Sequence, residues 1–286
     1  MQSNNPVFRS EAFRTYAGDG RAQQGYAQPG YTDPSTWSTG TPGQPGMPGQ
    51  PPAPVATGGP ITIDSVVQKT AFSLVAVLVA AAATWLLTPD ITEPDADLGG
   101  LIGLMTIGSL AAFVLSLVNS FKRIISPALV MAFAVAEGVA LGGLSKFFDA
   151  MIGDHIVVQA VLGTFAAFAG TLVAYKFFNI QVGQRFRTFV IAAVFGMVGL
   201  SLLELVLGLF GSQLGIFGMG GIGLLFAVVG LVLGVFMLIL DFDMAEQLIA
   251  HGAPEREAWR VAFGLTVSLV WIYTNLLRIL AILNQD

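Results

Sequence analysis

From about Thr70 to Leu283 the chain is written in long apolar runs separated by short polar breaks. Seven runs stand out: Thr70–Leu87, Leu98–Phe121, Ile124–Ser145, Ile156–Tyr175, Thr188–Phe210, Ile222–Leu240 and Val261–Leu283. Each holds roughly 17 to 25 residues, and ~20 residues at ~1.5 Å rise cross the ~30 Å hydrocarbon layer of a bilayer. The pattern predicts an all-α fold, a polytopic bundle of seven transmembrane helices occupying 63–286. Between Phe210 and Ile222 the text GSQLGIFGMGG is apolar but broken by glycines, and reads as a tight turn at the membrane surface. Small residues recur four apart at Gly138/Gly142, Ala192/Gly196, Gly211/Gly215 and Gly230/Gly234. In lipid such pairs let helix backbones approach, which predicts a compact bundle.

Residues 1–62 differ in kind. Text such as GQPGMPGQPPAP (Gly43 to Pro54) buries too little apolar area to offset the entropy of ordering it, and predicts a disordered tail. The first 30 residues contain no apolar core of a cleaved signal peptide, so the first span is expected to stay in the mature protein. Lys and Arg set the orientation: 11 of the 13 fall on the side of the tail, with only Lys146 and Arg278 on the other. A cytoplasmic N-terminus and an external C-terminus follow from that bias, and the expected location is the cell inner (plasma) membrane. The first external loop carries Asp90, Glu93, Asp95 and Asp97, a solvated acidic stretch able to attract cations loosely.

Composition narrows the function. Hydrophobic residues make up 54% of the chain and charged ones 11%, well below the ~25% of soluble domains. The net charge is −5 and no basic tract exists, which argues against nucleic acid. Cysteine is absent, and the two histidines, His155 and His251, flank the runs, so no metal site or cofactor is expected. Enzyme chemistry lacks its parts: no histidine lies in a span for a Ser–His pair, and no Walker loop is present.

The remaining chemistry sits in acids within the spans, where an ionisable group costs on the order of 2.5–3.5 kcal/mol even on lenient scales. Glu137 falls near the middle of the third span, Glu204 late in the fifth, and Asp241 and Asp243 close the sixth. Glu204 lies 17 residues beyond Arg187 and Arg278 lies 18 beyond Arg260, so the two share a depth. They can form a structural ion pair, or Arg278 can snorkel to the interface. Glu137 has no evident charged partner; lining a hydrated cavity it would bind a cation or proton. Asp241 and Asp243 are separated by about 200° around a helix, which points one into the bundle and the other to cytoplasmic water.

The sixth-span ending LDFDMAEQLI and the seventh-span text VSLVWIYTNLLRIL, with AEG at Ala136–Gly138 and NPVF at Asn5–Phe8, resemble the Bax inhibitor-1 family of YccA- and YetJ-like bacterial membrane proteins. That resemblance implies six helices around a hydrophobic seventh and a pH-sensitive calcium leak, closed by two aspartates that share protons. It maps the first aspartate onto Asp243, with Asp241 as alternative, and the second onto Ser268 or a close neighbour. The second acid is therefore missing. Two functions stay open: a proton-sensitive cation (Ca2+) leak using Asp243, Asp241 and Glu137, or a non-transporting regulator that binds other membrane proteins. In both, membrane lipids are the first partner.

Overall fold

The computed structural model describes residues 59–91, 98–153 and 155–285. They form seven helices long and apolar enough to cross a membrane. These are α1 (Ile63–Leu87), α2 (Leu98–Phe121), α3 (Pro127–Ile152), α4 (Ile156–Phe177), α5 (Gln184–Leu209), α6 (Gly221–Ala250) and α7 (Ala258–Leu283), with a 3-10 turn at Glu255–Glu257. Most of the tail expected to be disordered, and the acids Glu93, Asp95 and Asp97, lie outside the described residues.

Polar partners, rather than hydropathy, decide where the helices end. α1 begins at Ile63 because Thr62 caps it: its hydroxyl accepts from the Ser65 N–H at 3.1 Å and Ser65 Oγ accepts from the Thr62 N–H at 3.1 Å. α3 opens with Pro127, whose missing N–H costs nothing in a first turn. α6 continues past Leu240 to Ala250, so Asp241 and Asp243 lie inside the helix and do not close it. Side chains of α4, α5 and α7 engage this polar extension, which holds it helical beyond the apolar run.

Residues 59–62, assigned above to the tail, are ordered. Ile61 is 2% exposed, and its N–H donates to Ala253 O at 2.8 Å. Glu255 N–H donates to Gly59 O at 2.9 Å, completing an antiparallel bridge of Pro60 with Pro254. Ile61 provides the reason: its side chain joins the core with Val66, Leu238 and Val261.

Short connections reverse the chain at every turn, so α1, α3, α5 and α7 start at one end, which carries Lys69, Arg123, Arg187, Arg256 and Arg260. This Arg-rich end is sewn together by Arg256 Nε donating to Ile125 O at 2.8 Å and by Arg260 Nη2 donating to Arg123 O at 2.9 Å. At the opposite end Lys146 Nζ donates to Trp85 O (2.9 Å) and Thr88 O (2.7 Å), the last carbonyls of α1.

α7 is the core helix. It packs against α1, α3, α4 and α6, whereas α2 lies against α3 and α5 against α6. Four helices, not six, therefore pack closely on the seventh. The outer faces stay apolar and exposed, as with Ile107 on α2 (68%) and Phe195 on α5 (72%), the composition of a surface wetted by lipid.

The small-residue pairs divide by role. A Cβ at Gly138 would strike the Val77 carbonyl and Ala80, and one at Gly142 would strike the Ala81 backbone, so this pair seats α1 on α3. Gly230 and Gly234 make room for Asn275, Trp271 and Ile272 of α7. Gly211 and Gly215 instead hold positive φ (74° and 80°) in the turn, and Gly196 has nothing within 4 Å. Replacing Gly138 or Gly142 with Ala should lower stability by ~1–3 kcal/mol through overpacking. Thermal unfolding in detergent is expected to show a drop for each, and none for Gly196→Ala.

Candidate functional site

Three consecutive residues of α6 point at three different helices, because successive side chains stand ~100° apart. Asp241 faces α7, where Ser268 Oγ donates to its Oδ2 at 2.5 Å. Phe242 faces α4, edge-on to Phe168 (centroids 5.6 Å apart) and tilted against Tyr175 (5.8 Å). Asp243 faces α5, where Arg187 donates to its Oδ2 at 2.7 Å, joined by Gln247 Nε2 from the next turn at 2.8 Å. One turn on, Glu246 accepts from the Tyr175 hydroxyl at 2.8 Å.

This corrects two expectations. Neither aspartate is given over to water: Asp243 is 8% exposed and engaged by α5. The acid set against Ser268 is Asp241, not Asp243, because only the face of residue 241 meets α7. Gly264, one turn before Ser268, completes the seat; a Cβ there would lie 2.6 Å from Asp241 Oδ1. Asp241 thus rests on a glycine and a serine, with no cation paired to it among the described residues.

Glu137 occupies a separate place. It borders a cavity of about 270 Å³ between α2, α3 and α7, with Ser109, Ser116, Thr274 and Trp271 on its walls. Its carboxyl has no hydrogen-bond or ionic partner among the described residues. Glu137 stands ten residues into α3 and Ser268 ten into α7, so both lie ~15 Å from the Arg-rich helix starts. Glu137 looks onto the cavity beside α2, whereas Ser268 meets Asp241 of α6. Trp271 separates them: it lines the Glu137 cavity while its Nε1 donates across to Gly230 O on α6 at 2.8 Å. Neither Asp241 nor Asp243 borders that cavity.

Glu204 and Arg278 meet at the opposite end, but not as the direct ion pair expected from their depth. Each grips the intervening turn. The Glu204 carboxylate accepts from Leu214 N–H (2.7 Å) and Gly215 N–H (3.0 Å). The Arg278 guanidinium donates to Ile216 O and to Gly218 O (3.2 Å) and sits 5.3 Å over the Phe217 ring. The turn offers unpaired backbone donors and acceptors in a region poor in water, and each charged group satisfies one kind.

Hydropathy alone could not find three participants. Arg187 and Lys69 enter it only as charges on the side of the tail, and Gly264 carries no hydropathy signal, yet Lys69 is 9% exposed and pairs with Glu255 at 2.6 Å. The signal for Gly264 lay in its four-residue spacing from Ser268, which puts both on one helix face. Glu204→Gln should release one of the Leu214 and Gly215 N–H groups and weaken the bond to the other, since an amide accepts at only one atom and carries no charge. Hydrogen–deuterium exchange is expected to show ~10-fold or faster exchange over 211–218, the worth of a charged hydrogen bond, with the Arg-rich end unchanged.

No curated protein matches the chain. A family model described as Bax inhibitor 1 like matches residues 5–285, the described helices and their connections included. The match spans all seven membrane-length helices, and the chain belongs to the Bax inhibitor 1 like family.

Proposed function

We propose that this membrane protein is a proton-sensitive leak pathway for cations, with Ca2+ the class expected, and that Asp241 is its working group. One observation carries the reading: a carboxyl about 15 Å inside the bundle is held by a neutral hydroxyl and is paired with no positive charge among the described residues. Protonated, Asp241 and Ser268 form a neutral hydrogen-bonded contact between α6 and α7. Ionised, the same carboxyl is a fixed negative charge in a medium of low dielectric, where its attraction for a divalent ion exceeds that in water.

The surroundings suit passage rather than storage. No group of three or more acidic or imidazole ligands converges among the described residues. A cation meeting one carboxylate and a few hydroxyls or carbonyls binds weakly enough to leave, as conduction requires. At the Arg-rich end the Arg187–Asp243 and Lys69–Glu255 pairs hold α5 to α6 and α1 to the turn before α7. Opening that end means exchanging these contacts for water, a modest cost because Arg187 and Glu255 are already 37% and 42% exposed.

Ca2+ flux into indicator-loaded proteoliposomes, read at two pH values, tests the proposal. Flux should rise with pH, and Asp241→Asn should lower it about tenfold and remove the pH dependence. Ser268→Asp, which sets a second acid against Asp241, should shift the pH response without abolishing flux. Absence of wild-type flux at both pH values would defeat the reading and favour a regulator that acts by binding other membrane proteins.

A further inference from the structure

A groove between α1 and α4, which shares Val270 of α7 with the Glu137 cavity, has no part in the proposed leak. It holds about 580 Å³, within the ~300–1,000 Å³ of ligand sites. Its walls are α1 and α4, and its floor is α3 and α7. α1 packs on α3 and α7, and α4 on α7, α6 and α3, but α1 and α4 make at most glancing contact. The cleft between them therefore opens sideways, toward lipid. Exposed Leu78 and Leu86 on one lip and Val158 and Phe165 on the other mark that opening.

The groove is graded along its length. From Leu74 to Leu86 it follows α1 for twelve residues, or ~18 Å. Its hydroxyls are already bonded internally: Ser145 to Leu141 O (2.6 Å) and Tyr273 (2.5 Å), Thr164 to Ala160 O (2.8 Å). Among the described residues, its polar groups without a bond are the Trp85 indole N–H near the end of α1, and Asp149 and His155 where α3 ends and α4 begins. The Asp149 carboxylate has no hydrogen-bond or ionic partner among the described residues.

We infer that the groove holds one acyl chain of a membrane phospholipid whose headgroup carries an ammonium, seated against Asp149. Acyl chains are the surrounding medium at this depth, and an apolar cleft among spanning helices takes its filling from them. The rim selects the head. An unpaired carboxylate repels anionic headgroups and attracts a primary ammonium, and the His155 ring can donate to the adjoining phosphate.

The inference stands apart from the leak proposal, since it concerns neither Asp241 nor cation flux. Native mass spectrometry of the full chain, released from nanodiscs of equal phosphatidylethanolamine and phosphatidylglycerol, tests it. One retained phosphatidylethanolamine is expected. Val161→Phe, on the α4 wall, should remove it; Ala82→Phe fills the groove from the exposed face of α1, where folding tolerates bulk. Asp149→Asn should lower the preference over phosphatidylglycerol about fivefold, the worth of one partly screened ion pair. No retained phospholipid, retention undiminished in a folded Phe variant, or equal retention of both headgroups in the wild type would each overturn the inference.

Discussion

A hydroxyl or carboxyl surrounded by hydrocarbon has no water to turn to, so a neighbouring helix must supply its partner. In this bundle α7 supplies most of them. Thr266 meets Ser73 of α1 at 2.7 Å, Ser268 meets Asp241 of α6, Trp271 meets the Gly230 carbonyl of α6, and Tyr273 meets Ser145 of α3. Lipid tails are as apolar as leucine, so burial alone gives helices little reason to associate within the bilayer. Close approach at small residues and these polar ties, each worth ~0.6–2 kcal/mol, do that work instead. Ser73 and Thr266 are both wholly buried, which makes their contact the deepest of the set.

The same logic organises α6. Asp241, Phe242 and Asp243 address α7, α4 and α5 in turn, so three helices depend on the rotational setting of one. A turn of α6 about its own axis cannot loosen one of these contacts and keep the others. Such an arrangement favours two discrete settings over a continuum. Arg187 of α5 and Gln247 of α6 itself converge on the same Asp243 oxygen, so the tie to another helix comes from Arg187.

Hydropathy made the class and the number of spans legible, because seven long, nearly uncharged apolar runs admit few other solutions. Helix ends were not legible where polar partners extend them: the apolar run stops at Leu240, but α6 persists for another ten residues. The acids themselves were identifiable from composition and depth, and their pairings were not. Glu204 and Arg278 share a depth, yet the backbone between Gly211 and Gly220 offered each a better partner than the other. The assignment of Ser268 opposite an acid was sound, but a period of 3.6 leaves residues 241 and 243 on different faces, and only a three-dimensional neighbour decides which one it meets.

The strap at Gly59–Ile61 has a mechanical consequence. It is stitched by two backbone hydrogen bonds to Ala253 and Glu255, in the hairpin bend joining α6 to α7, and Lys69 of α1 bonds the same bend. A tug on the polypeptide ahead of Gly59 would therefore bypass α1 as its first recipient. The load would arrive at the corner where the two helices flanking Asp241 and Ser268 are hinged.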